Sequence, residues 1–175
     1  PITQDDVRLN GHAIEVRLYA EDPEQDFLPS TGKVLLWAPP EGDGIRVDDG
    51  IVTGSDVSPF YDAMVAKIIA WGETRAMALK RLTAALESTA LFGPATNRDF
   101  LIDALSQPAF RDGAATTAFI DETYGQAGFQ KDAQTHETVA AAIALDVSQR
   151  RQAAHTGAIA VHPDLLDWSS THDLE

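Results

Sequence analysis

What most restricts the fold of this chain is a pair of segments with the polarity pattern of strands, residues 11–23 (GHAIEVRLYAEDP) and 58–71 (SPFYDAMVAKIIAW). In the first, Ile14, Val16 and Leu18 alternate with Glu15, Arg17 and Tyr19, the two-residue period of a half-buried strand. The second opens with alternation and becomes almost continuously apolar from Met64 to Trp71, with Lys67 inside it, as suits a strand buried on both sides. Strands hold side chains more rigidly than loops do, so Arg17 and Asp62 form the leading candidate polar pair. The plainer alternative is two ordinary strand residues, solvated or in an incidental ion pair. Lys67 has the same two readings, a perturbed amine or a side chain reaching a strand edge, and the second is commoner.

Residues 1–10 read as a polar entry segment. Asp22-Pro23 ends the first strand, because proline cannot continue a ladder. Ser30-Thr31-Gly32 reads as a turn, residues 33–37 (KVLLW) as a second strand and 45–47 as a short one carrying Arg46. Asp48-Asp49-Gly50 has hairpin chemistry, which predicts that residues 51–53 pair back. Helical spacing takes over at residues 75–91, where Leu79, Leu82 and Leu86 share a face behind a Thr74 N-cap and ahead of a Gly93-Pro94 stop. A second helix is predicted over 97–105, capped by Thr96 with Asp99 in a capping-box variant and interrupted by Pro108, and a third over 116–124. Strands first and helices second predict an α+β fold, an antiparallel sheet followed by packing helices. Residues 125–128 (GQAG) read as a linker, so that 1–125 form one domain and 126–175 a linker or the start of another, partly disordered and holding an Ala-rich helical tail over 137–151.

With 13 Lys+Arg against 27 Asp+Glu the formal charge is −14, which disfavours nucleic acid and anionic membrane as partners. No GxxxxGK[ST] or GxGxxG loop supplies a phosphate cradle, so no ATP-binding residues are expected here. His12, His136, His155, His162 and His172 show no metal-ligand spacing, and no metal site is expected; His12 reads as structural. Cysteine is absent, and no apolar run approaches the roughly 18 residues of a membrane span. A cytoplasmic protein is the expectation. The chain begins at Pro1, which together with the missing phosphate site suggests a piece of a longer polypeptide.

Four blocks in order, HAIEVRLYAEDP, FLPSTGKV, SPFYDAMVAKIIAWG and TNRDFL, resemble the C-terminal domain of biotin carboxylase over residues 1 to about 125. The resemblance implies a share in an ATP-, Mg2+- and bicarbonate-dependent ligase that carboxylates biotin on a separate carrier domain. The ATP- and metal-binding groups of that family lie on a preceding ATP-grasp part, so this fragment should be inactive alone. Arg17 matches the family arginine that contacts the biotin ureido oxygen and the bicarbonate site. Asp62 matches the family aspartate of the YD pair, and the resemblance implies that it orients that arginine. Arg46 and Arg81 match arginines near a two-fold contact and are candidates for a homodimer interface. Glu41 and Asp43 stand where an aromatic residue is usual in the stand-alone bacterial type, which puts that same dimer in doubt. The continuation past Tyr124 is similar to the linker of acyl-CoA carboxylase α subunits, of the methylcrotonyl-, geranyl- or propionyl-CoA branch. That implies a biotin carboxyl carrier domain and a carboxyltransferase β subunit as partners. The alternatives are the C-terminal domain of another ATP-grasp ligase and a non-catalytic dimerisation or binding module.

Overall fold

The computed structural model describes residues 1–131. The predicted Ala-rich helix over 137–151 and the rest of the tail lie outside the described residues. In chain order the strands are β1 (His12–Tyr19), β2 (Glu21–Asp22), β3 (Leu28–Pro29), β4 (Gly32–Lys33), β5 (Leu36–Ala38), β6 (Ile45–Asp49), β7 (Asp56–Val57), β8 (Met64–Gly72) and β9 (Ala90–Phe92). The helices are α1 (Arg75–Ser88), α2 (Arg98–Ser106), α3 (Pro108–Arg111) and α4 (Phe119–Tyr124). The α+β expectation holds, and the sheet is antiparallel: β8 lies between β1 and β6.

One face of this three-stranded sheet carries the apolar set of each strand, and α1 covers it. Ile14, Val16, Ile68 and Ala70 meet Ala78, Leu82, Ala85 and Leu86 in one buried cluster, and Leu105 of α2 closes it. Each large side chain so buried contributes about 1.5–3 kcal/mol. The helix can lie this close because Gly72 ends β8: a Cβ there would stand 2.5 Å from the Ala78 amide nitrogen. A second cluster, with Leu18, Val34, Trp37 and Val65, fills the space under the short strands. The Trp37 indole N–H is satisfied by Asp49 Oδ2 at 2.6 Å.

Thr74 caps α1 as predicted, its Oγ1 accepting from the Met77 N–H at 3.2 Å. Thr74→Ala is expected to cost about 1 kcal/mol, read as a shift in the denaturant midpoint at constant slope. Several predicted boundaries move. Helix α1 ends at Ser88 rather than running to 91, because Ala90–Phe92 pair with Ala38–Leu36 as β9. The KVLLW strand divides: Gly32–Lys33 pairs with β7 and Leu36–Ala38 with β9. Residues 51–53 do not pair back on β6, whose partner is β8; the Gly50 N–H instead reaches the Val65 carbonyl at 3.1 Å. The 58–71 strand begins only at Met64, and Phe60 and Tyr61 stand in the loop before it, 88% and 85% exposed.

Asp99 does not complete a capping box on Thr96. Asn97 is the N-cap residue of α2, and Asp99 pairs with Arg98 at 2.9 Å and Lys131 at 2.5 Å. Burial alone would raise the Asp99 carboxyl, but the Lys131 and Arg98 contacts outweigh it and hold the group below its ordinary 3.8. A depressed folded value gives stability that is complete above the unfolded value and is lost as pH falls through the folded one. Asp99→Asn should therefore lower the thermal midpoint near neutral pH. The gap to wild type should narrow on acidification below 3.8 and then close.

Candidate functional site

The face of the sheet turned away from α1 is polar. Along β1 it carries Glu15, Arg17 and Tyr19, and the register places Lys67 beside Arg17 and Ile69 beside Glu15. On β6 the same rows end in Asp48 and Arg46. Arg17 is 59% exposed in its side chain and meets Glu15 Oε1 at 3.6 Å. Tyr19 first and Glu15 second push its pKa upward, so the guanidinium is charged at any working pH. An exposed pair at that distance is weak, and the guanidinium is available to another acceptor.

What is firm is the backbone beneath it. The buried Asn97 side chain accepts from the Tyr19 N–H through Oδ1 at 2.9 Å and donates through Nδ2 to the Arg17 carbonyl at 3.2 Å. Its own N–H donates to the Tyr19 carbonyl at 3.1 Å. Asn97 thus does for the outer edge of β1 what a further strand would do, beside the register shift between Leu18 and Tyr19. Spacing alone places Asn97 as the first residue of the helix behind a Thr96 cap, and nothing in the local pattern points to β1, seventy-eight residues earlier. Here it forms no side-chain cap on α2, its amide being committed to β1.

Arg17 and Asp62 do not make the expected ion pair. Asp62 lies in the loop ahead of β8, not on a strand, and its Oδ1 accepts from the Met64 N–H two residues on at 2.9 Å. Its charge is felt instead at Glu21, whose carboxyl is raised by burial first and by Asp62 second. Arg46 is 74% exposed and paired with Asp48 at 2.9 Å. Arg81 is largely used inside the domain: it donates to the Trp71 carbonyl at 2.8 Å, lies 6.0 Å from that indole ring and is 3.9 Å from Glu73. His12 Nε2 lies 3.2 Å from Arg75 Nη1 in a structural contact, with the Arg75 guanidinium also bonded to the Phe110 and Arg111 carbonyls. No helix of the described residues is long and apolar enough to cross a membrane.

Residues 15–122 match the family model of the biotin carboxylase C-terminal domain. A biotin carboxylase of Halalkalibacterium halodurans is 47% identical over 120 residues, which is 69% of this chain and 26% of that protein. The mitochondrial propionyl-CoA carboxylase alpha chain of Caenorhabditis briggsae is 39% identical over 157 residues, 87% of this chain and 21% of that one. Among solved structures, the biotin carboxylase domain of a thermophilic 2-oxoglutarate carboxylase bound to bicarbonate is similar with a TM-score of 0.68 and 38% identity. That likeness covers 69% of this chain and 27% of the other. The chain spans about a quarter of the length of such relatives. With four ordered motifs, an antiparallel sheet packed by helices and a family match over most of the described residues, this chain belongs to the biotin carboxylase C-terminal domain family.

Proposed function

We propose that this domain completes the biotin-carboxylating site of a biotin-dependent acyl-CoA carboxylase α subunit, using ATP, Mg2+ and bicarbonate bound mainly by an ATP-grasp part of the same protein. The observation that carries the reading is Arg17: an exposed guanidinium, weakly paired, on a backbone that Asn97 fixes from one side and β8 from the other. Removing the proton from the ureido nitrogen of biotin puts negative charge on the ureido oxygen. A guanidinium already aimed at that oxygen stabilises the charge as it forms. The α-subunit assignment is supported by the 157-residue likeness to a propionyl-CoA carboxylase alpha chain, against 120 residues for the stand-alone carboxylase.

The partners that follow are a biotin carboxyl carrier domain, which must deliver the ureido ring to this face, and a carboxyltransferase β subunit. A homodimer contact falls to Arg46, which is open to a partner, more than to Arg81, which is spent internally. A domain boundary at 125–126 and a cytoplasmic location belong to the same proposal. Asp62 keeps its orienting role within it, in competition with Glu15, the carboxylate that meets Arg17 here. The test is biotin-dependent ATP hydrolysis by the full-length subunit carrying Arg17→Ala. Loss of the biotin-dependent rate with ATP affinity retained supports the reading, and a wild-type rate makes the domain a buttress. Asp62→Asn and Glu15→Gln in the same assay tell which carboxylate aims Arg17.

A further inference from the structure

Lys67 is placed between Arg17 on β1 and Asp48 on β6, directly opposite each in register. Direct partners in an antiparallel pair have Cβ atoms about 4.5–5.5 Å apart, and like charges set there repel. A strand lysine usually escapes by reaching the edge of its sheet. Lys67 lies on the middle strand, so its side chain must cross a neighbouring strand to reach an edge. It is not neutralised by a contact. Asp48 Oδ1 is engaged by Arg46 Nε at 2.9 Å, and among the described residues no carboxylate lies within 4.0 Å of the Lys67 amine. Arg17, Lys67 and Arg46 therefore outnumber Glu15 and Asp48 on one surface of a chain whose formal charge is −14.

We propose that Lys67 and Arg17 together hold one carboxylate-class oxyanion, the bicarbonate or the carboxylate group formed from it, which makes Lys67 a further substrate-binding residue of the carboxylation site. The proposal rests on the reading that Arg17 faces the reaction. Its physical basis is that two cationic residues set side by side on neighbouring strands can share one anion. An anion placed between them meets donors whose backbones the strands already hold in place. The two groups also divide the work. A planar guanidinium can serve two acceptors at once, the ureido oxygen and one oxygen of the anion, while an ammonium acts as a compact point charge on the rest of it.

The experiment uses the full-length subunit, with ATP cleavage followed as bicarbonate, biotin and ATP are varied in turn. Lys67→Met keeps the apolar stem and removes the charge. It should raise the bicarbonate KM about tenfold or more while the ATP and biotin KM values move little. Lys67→Arg restores the charge and should recover most of that loss. An unchanged bicarbonate KM in Lys67→Met overturns the proposal. So does a loss that Lys67→Arg fails to rescue, or one that tracks a fall in the thermal midpoint, since either marks a packing role. Arg17→Ala in parallel separates the two levels. If it keeps the wild-type rate, the site reading fails and the Lys67 assignment falls with it. If it is slow while Lys67→Met binds bicarbonate normally, only the Lys67 assignment fails.

Discussion

Arg17→Ala is expected to slow biotin-dependent ATP cleavage in the full-length subunit by about 10²- to 10³-fold, the usual consequence of deleting one preorganised donor to a developing oxyanion. The loss should be expressed in kcat and kcat/KM together, because the ureido oxygen of ground-state biotin is a weak acceptor and becomes a strong one only as the nitrogen loses its proton. ATP affinity should hold, since no phosphate-binding loop is present in this sequence. Stability should also hold: the Arg17 side chain is 59% exposed, and its one ion pair, with Glu15 at 3.6 Å, is too open to matter for folding. Arg17→Lys keeps the charge and loses the planar fork. It should recover only part of the rate, because an ammonium cannot serve two acceptors in one plane. Full recovery in Arg17→Lys would reduce the role of Arg17 to a point charge, and a wild-type rate in Arg17→Ala would remove it from the site.

Local periodicity told correctly where β1 and the core of β8 run, which face of β1 is buried, and that α1 begins behind Thr74. Those features are properties of a few consecutive residues. What periodicity could not tell is which segments pair. Ala90–Phe92 continues the apolar spacing of a helix, and only the presence of Leu36–Ala38 as a partner makes it β9. Residues 51–53 follow a good hairpin turn and still leave β6 unpaired on their side, because Val52 closes a local turn with Ser55 through both its N–H and its carbonyl. The site divides in the same way. The place of Arg17 on the open, polar face of β1 was legible from alternation. The contact expected from Asp62 was not made, because a short carboxylate in a loop can satisfy the N–H two residues ahead of it at less entropic cost than a group across the sheet. Lys67 beside Arg17 became visible only with the register.

Asn97 is where fold and site are coupled, and Asn97→Ala is expected to destabilise the domain by about 2–4 kcal/mol. The Tyr19 N–H loses its acceptor at 2.9 Å and the Arg17 carbonyl loses its donor at 3.2 Å. Leaving a buried backbone group unpaired costs about 1–3 kcal/mol, and some relief comes from water reaching an edge strand. Denaturant unfolding at constant slope is the measurement. Asn97→Asp is the sharper variant. At neutral pH it keeps an acceptor for Tyr19 but sets a carboxylate oxygen against the Arg17 carbonyl, so it should be no more stable than Asn97→Ala. On acidification the protonated carboxyl can donate where Nδ2 does now, and Asn97→Asp should gain stability relative to Asn97→Ala as pH falls. The same slackening displaces the Arg17 backbone, and a displacement on the order of 1 Å at a positioning group can cost about 10²-fold in rate. In the full-length subunit, Asn97→Ala should therefore lose biotin-dependent turnover at temperatures well below its own midpoint. If activity fell only where the domain unfolds, Asn97 would hold the edge of β1 together without setting the aim of Arg17.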